Sequence, residues 1–259
     1  MIELVEFWKQ LDLYSPPYIH PEDKPFIEGQ SRIKQTIISS HKAYISHQTF
    51  SDEGDSSLHL SLLPVPYQGN LSRADIFLVM LNPGLGTSDY QTEEYNEHAD
   101  QLRRIIRQDL LNVPYPFLSL NPDYTWSGGF QWWETKLRKI LREIAKLYCG
   151  GDYAVALQTL SQRLAVIELF PYHSRVFKAG ALRSKLPSVK HAKDFVQSLL
   201  PRARTGEITI IVSRGMKAVG IDDHELANHD PKLVRGASLS PKTKGGKAIL
   251  RAFECRRLA

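Results

Sequence analysis

The sequence predicts an α/β fold, a three-layer α/β/α sandwich with a four-stranded parallel sheet and an N-terminal extension. Three observations lead there. Residues 75–81, 163–169 and 207–212 are short, continuous apolar runs of the kind that form strands buried on both faces. Helical patterns stand between them, so strands and helices alternate, as parallel sheets require. The first run, Asp-Ile-Phe-Leu-Val-Met-Leu, stops at Asn82-Pro83-Gly84, where proline and glycine force a turn and leave a polar side chain at the strand's carboxyl end. In open α/β sheets, ligands gather at those ends.

Taken in order, residues 2–14 carry Leu4, Val5, Trp8 and Leu11 on one helical face. Prolines 16, 17, 21 and 25 break that pattern, residues 28–50 read as a weakly periodic helix, and residues 51–57 read as a flexible loop. Residues 63–70 are too rich in proline for a regular strand. Residues 1–70 are therefore expected to be an extension packed on a core domain of 71–259. In the core, residues 99–111 place Leu102, Ile105, Ile106 and Leu110 together. Residues 129–148 give the strongest helical stripe: Phe130, Trp133, Leu137, Ile140, Leu141, Ile144 and Leu147. Residues 190–200 turn Phe195, Val196, Leu199 and Leu200 inward. Residues 232–239 are read as the fourth strand and 245–257 as the last helix.

Composition narrows the function. The chain has 259 residues, 42% hydrophobic and 24% charged, enough for a sizeable core. No apolar run approaches the roughly 20 residues of a membrane helix, and the acidic start, Glu3 and Glu6, does not resemble a signal peptide. A cytoplasmic, monomeric protein is expected. Two cysteines, Cys149 and Cys255, are too few for a disulfide framework or a four-thiolate cluster and read as packing residues. The nine histidines show no metal-binding spacing, so neither metal nor cofactor is expected. Lys244-Gly245-Gly246-Lys247 is followed by Ala248, not the Ser or Thr of a nucleotide-binding loop. The net charge is +5, yet residues 231–259 hold eight Lys and Arg against Glu254 alone. That local excess suits either a solvated face or contact with phosphates, with DNA as the partner.

The stretch ending in Asn82-Pro83-Gly84 resembles the first motif of the uracil-DNA glycosylase superfamily, above all its mismatch-specific uracil/thymine branch. The order of elements over roughly residues 64–259 is similar as well. An aromatic-rich helix would begin at Phe130-Gln131-Trp132-Trp133. A turn resembling Gly-x-x-Ala would be Gly215-Met216-Lys217-Ala218. A DNA-wedging loop would be Ser238 to Lys242, although it lacks the family's histidine and Pro-Ser order. The resemblance implies a monofunctional DNA glycosylase that flips a damaged or modified base and hydrolyses its N-glycosidic bond, without a Schiff-base lysine. The purpose would be repair or defence against foreign DNA. The rival expectation is a non-catalytic nucleic-acid-binding module that keeps the fold.

On this reading Asn82 orients the attacking water, with a turn-capping role as the alternative. His173 assists the departing base. Leu81, Tyr95 and Glu168 contact the base, with Tyr90 competing as the stacking aromatic. Arg214, Ser240, Pro241, Lys242 and Lys244 contact DNA. Typical uracil readers carry Asn near Glu168. An ionised Glu only accepts, which favours an exocyclic amino group such as cytosine N4 and disfavours uracil O4; a protonated Glu also donates, but needs a raised pKa. The alternative for Glu168 is an ion pair with Arg175 or Arg214.

Overall fold

A computed structural model describes residues 2–213, 220 and 239–255. The chain falls into two compact units. The first is Met1–Tyr67, Leu81–Asp109 and Glu168–Phe195; the second is Gln68–Met80, Leu110–Ile167 and Val196–Ala259. The first 67 residues, read from the sequence as an extension, thus share a unit with two segments from further along the chain.

The second unit holds most of a four-stranded sheet ordered β3-β5-β4-β6: β3 is Tyr67–Gln68, β4 Ile76–Met80, β5 Leu164–Glu168 and β6 Thr209–Val212. Strands β4 and β6 are parallel, with Ile76 opposite Thr209 and Val79 opposite Val212. All five residues of β4 and of β5 are buried, as their unbroken apolar composition predicts. The β3 edge departs from the all-parallel expectation. Glu168 N donates to Pro66 O at 3.0 Å and Val65 N to Pro171 O at 2.9 Å, so one number rises as the other falls and this edge runs antiparallel. The expected fourth strand, 232–239, lies outside the described residues except for Leu239.

The longest helix of this unit, α6 (Gly128–Tyr148), starts where Ser127 accepts a hydrogen bond from Phe130 N at 3.1 Å. It buries Phe130, Trp133, Leu137, Ile140, Leu141 and Ile144 against Ile76, Leu78 and Met80 of β4. Leu147, placed on that stripe by spacing, is instead 47% exposed, because the helix ends one residue later. Sequence reading passed over α7 (Tyr153–Arg163), which Asp152 caps by accepting from Val155 N. At its end Arg163 forms a two-pronged ion pair with Asp75, donates to Ala252 O at 2.8 Å and covers the Phe253 ring at 4.1 Å. Cys149 packs at the margin of this core, whereas Cys255 is exposed and has no packing role.

The first unit is built on short elements. Helix α1 (Ile2–Lys9) packs on α5 (Asn96–Arg107). Helix α5 ends four residues before its expected limit, where Gln108 turns left-handed at φ 55°. Residues 28–50 do not form one helix. Helix α2 (Lys24–Glu28) stops at Gly29, β1 (Gln35–Thr36) pairs in parallel with β2 (Leu58–His59), and Ser40 caps α3 (His41–Ile45). Helix α4 (Asp89–Glu94) follows the Asn-Pro-Gly loop. Helix α8 (Pro187–Arg204) begins in this unit, where Asp23 accepts from Ser188 N and from the Tyr172 hydroxyl. Residues 51–57 are not loose: Asp55 is buried and accepts from Ser57 N and Oγ. Among the described residues, no helix is long and apolar enough to cross a membrane.

Candidate active site

Two loops of the first unit, residues 81–86 and 168–175, are bonded to each other. Phe170 N donates to Leu81 O at 2.9 Å. Asn82 Nδ2 donates to Ser174 Oγ at 3.3 Å and to Ser174 O at 3.4 Å. His173 Nδ1 stands 2.9 Å from Gly84 O. Gly84 has a φ of +74°, a left-handed conformation that any side chain would strain, which accounts for the glycine after Pro83. Leu81 through Gly86 are half-buried, so this loop meets solvent, whereas residues 168–174 of the partner loop are buried.

Glu168 is the most unusual group here. It is 5% exposed, and its Oε2 has no hydrogen-bond partner among the described residues. Burial pushes its pKa up to about 8, so the carboxyl is neutral at pH 7. The ion pair with Arg175 is not formed; Arg175 Nη2 donates to Tyr44 Oη at 2.9 Å and to Phe50 O at 3.1 Å. Arg214 lies outside the described residues. The expectation built on an ionised Glu168 is therefore corrected: a neutral carboxyl offers one donor and one acceptor, and suits uracil's edge as well as cytosine's.

His173 also differs from expectation. It is 7% exposed, and both ring nitrogens face carbonyls, Gly84 O at 2.9 Å and Leu63 O at 3.0 Å. No nitrogen is left for a departing base or a phosphate, and the ring instead clamps the Asn-Pro-Gly loop to residue 63. The nearby carboxyl is Asp89. Burial raises its pKa, opposed by the charge of His173, a bond from Gly86 N at 2.7 Å and the charge of Arg175.

Behind this clamp lies a buried relay that sequence reading missed. His59 Nε2 is 2.8 Å from Asp55 Oδ2, and His59 Nδ1 is 2.9 Å from the Tyr90 hydroxyl. Burial works to raise the Asp55 pKa, but hydrogen bonds from His59 and Ser57 outweigh it and the net shift is down. Burial lowers the His59 pKa, against the pull of Asp55. Because Tyr90 is held in this relay and stacks on Tyr44 at 4.4 Å, it is not available to stack on a base. Tyr95 is 45% exposed at the end of α4, and its hydroxyl donates to Glu97 at 3.2 Å. The relay was hidden because Asp55 sits in a segment of Ser, Asp and Gly that resembles a disordered loop. The i, i+4 pairing of Asp55 with His59 was the available signal.

In the second unit, Ser240 and Pro241 lead into α9 (Lys244–Cys255). Thr243 Oγ1 caps that helix, accepting from Gly246 N at 3.1 Å and donating to Ser240 O at 2.9 Å. A Cβ on Gly246 would fall 1.8 Å from Ser240 O, so only glycine permits this loop to lie on the helix. Lys242 and Lys244 are exposed. Among the described residues, no three His, Cys, Asp or Glu side chains converge as a metal site would need. The sequence matches no family model, no curated protein and no solved structure.

Proposed function

We propose that the protein is a monofunctional DNA glycosylase that hydrolyses the N-glycosidic bond of a flipped, damaged or modified base and leaves an abasic site. The observation that carries this reading is Glu168: a buried, neutral, unpartnered carboxyl in the loop bonded to Asn82. A buried polar atom left unsatisfied costs about 1–3 kcal/mol, and such groups persist where a ligand completes them. A pyrimidine edge supplies one donor and one acceptor, the complement of a carboxylic acid.

Asn82 would supply the second element. Its Nδ2 is committed to Ser174, which leaves Oδ1 to accept from a water under C1′. Asn is a weak base, so catalysis would rest on positioning and on the stability of the departing base anion. Exposed Lys242 and Lys244 would contact phosphates. The same proposal includes an α/β/α layering with a parallel sheet centre, a monomer, a cytoplasmic location, and a role in repair or in defence against foreign DNA. The test is incubation with duplexes carrying uracil, thymine mispairs and modified cytosines, followed by an assay for abasic sites. Binding without abasic sites on any of these would favour a non-catalytic DNA-binding module.

A further inference from the structure

A second feature of the first unit is a cleft of roughly 400 Å³ lined by Arg183, Lys185, Lys190 and Lys193, with Glu22 as its single acidic wall residue. The sequence concentrates charge here. Residues 169–193 contain six Lys and Arg and no Asp or Glu. The fold then converges four of them. Leu182 and Leu186 are buried anchors, and the turn between them closes through Arg183 N to Gly180 O at 3.2 Å and Lys185 N to Leu182 O at 2.8 Å. Lys190 N continues to Leu186 O at 3.2 Å, so turn and helix start form one scaffold. Lys190 and Lys193 stand three residues apart on α8, on a shared face.

Of these cations, only Lys190 has a carboxylate partner among the described residues, Asp194 at 2.5 Å. Arg183, Lys185 and Lys193 face the cleft without one. Like charges gathered on a concave wall repel each other and raise the local potential, which favours an anion at that spot. Four basic side chains converge on this lining, and phosphate groups are the anions such a set of donors fits.

We propose that this cleft binds backbone phosphates of the DNA strand, as a contact separate from the Asn82 and Glu168 loops. The proposal rests on the reading of the protein as one that acts on DNA. It is tested by titrating a fluorescent 20-mer duplex at several salt concentrations with wild type and with R183Q/K185Q/K193Q. The variant should bind more weakly on every sequence, and its log K against log salt slope should fall by roughly two to three units, near 0.9 per lost contact. The charge-conserving variant R183K/K185R/K193R should keep the wild-type slope, and thermal melts of both variants should match wild type. An unchanged slope in the neutralised variant would overturn the proposal. So would tight 1:1 binding of inorganic pyrophosphate that is lost in the variant while the DNA slope stays put, since the cleft would then serve a small phosphate ligand. Excision by wild type with no slope change removes the cleft alone. A slope change with no excision on any duplex removes the glycosylase reading alone.

Discussion

Asn82 Nδ2 lies 3.3 Å from Ser174 Oγ, joining the ends of two segments 92 residues apart in sequence. The bond fixes which end of the amide faces away. If Oδ1 positions the attacking water, Asn82→Ala should lower single-turnover excision by about 10²-fold or more, with DNA affinity retained. Ser174→Ala should lower it less, because the water ligand remains but loses its anchor. Equal rates for Asn82→Ala and wild type would remove Asn82 from the chemistry.

Glu168 should make substrate preference depend on pH. Below its pKa of about 8 the carboxyl donates and accepts. Above it, the carboxylate only accepts and repels uracil O4. The ratio of uracil to cytosine-type excision should therefore fall between about pH 6.5 and 9.5, by ten- to a hundredfold if one contact of ~1–3 kcal/mol is at stake. Glu168→Gln keeps a donor and an acceptor at every pH and should flatten the profile. A wild-type ratio indifferent to pH would return Glu168 to a packing role.

The same carboxyl should leave a mark on stability. Its folded pKa of about 8 exceeds the ordinary 4.5, so between those values the unfolded chain holds fewer protons. Stability from this group is complete below about pH 4.5 and declines as pH rises toward 8, by up to about 1.4 kcal/mol per unit. Glu93 is shifted the same way by burial, and His20 and His59 the opposite way, also by burial. The informative quantity is thus the difference between Glu168→Gln and wild type in urea melts at about pH 5.5, 6.5 and 7.5. That difference should grow with pH in favour of the variant; a constant difference would contradict the raised pKa.

His173→Ala should destabilise by about 1–3 kcal/mol, since it leaves Gly84 O and Leu63 O without their partner. Excision should drop with it because the Asn-Pro-Gly loop loses its clamp. Urea denaturation decides: a melt identical to wild type would mean that the ring does not hold the loop.

Neutralising Lys242 and Lys244 together should weaken DNA binding on all sequences and reduce the salt slope by about one unit per lost contact. An unaltered slope would make them a solvated surface only.

Legibility in the sequence followed the reach of each signal. The central strands and α6 were readable because burial on both faces leaves an unbroken apolar run, and a helix leaves a 3.6-residue stripe. Strand β3, two residues between Pro66 and Gly69, has no period to read. Helix α7 was missed because its apolar residues, Ala156, Leu157 and Leu160, make a narrow stripe among polar neighbours. Asn82 and Glu168 stood out as polar residues closing apolar strands. The occupation of both His173 nitrogens, by carbonyls at residues 63 and 84, depends on contacts up to 110 residues apart that no local pattern records. The Asp55–His59–Tyr90 relay was concealed in the same way, since Tyr90 lies 31 residues from His59.

The interleaving of the two units bears on how the chain is made. Between Tyr67 and Val196 it passes from one unit to the other five times, and the last piece of the first unit ends at Phe195. Neither unit is complete until about three quarters of the chain has left the ribosome. At roughly 5–20 residues per second, about 6–23 s pass between synthesis of Asn82 and of Phe195, with the first apolar strand and the Asn82 loop unpartnered. Production in cells should then respond sharply to chaperone supply and to slower translation, and no contiguous fragment will yield the first unit by itself. A designer wanting a minimal version would have to reorder the chain, since trimming either end removes part of a unit that the middle of the sequence completes.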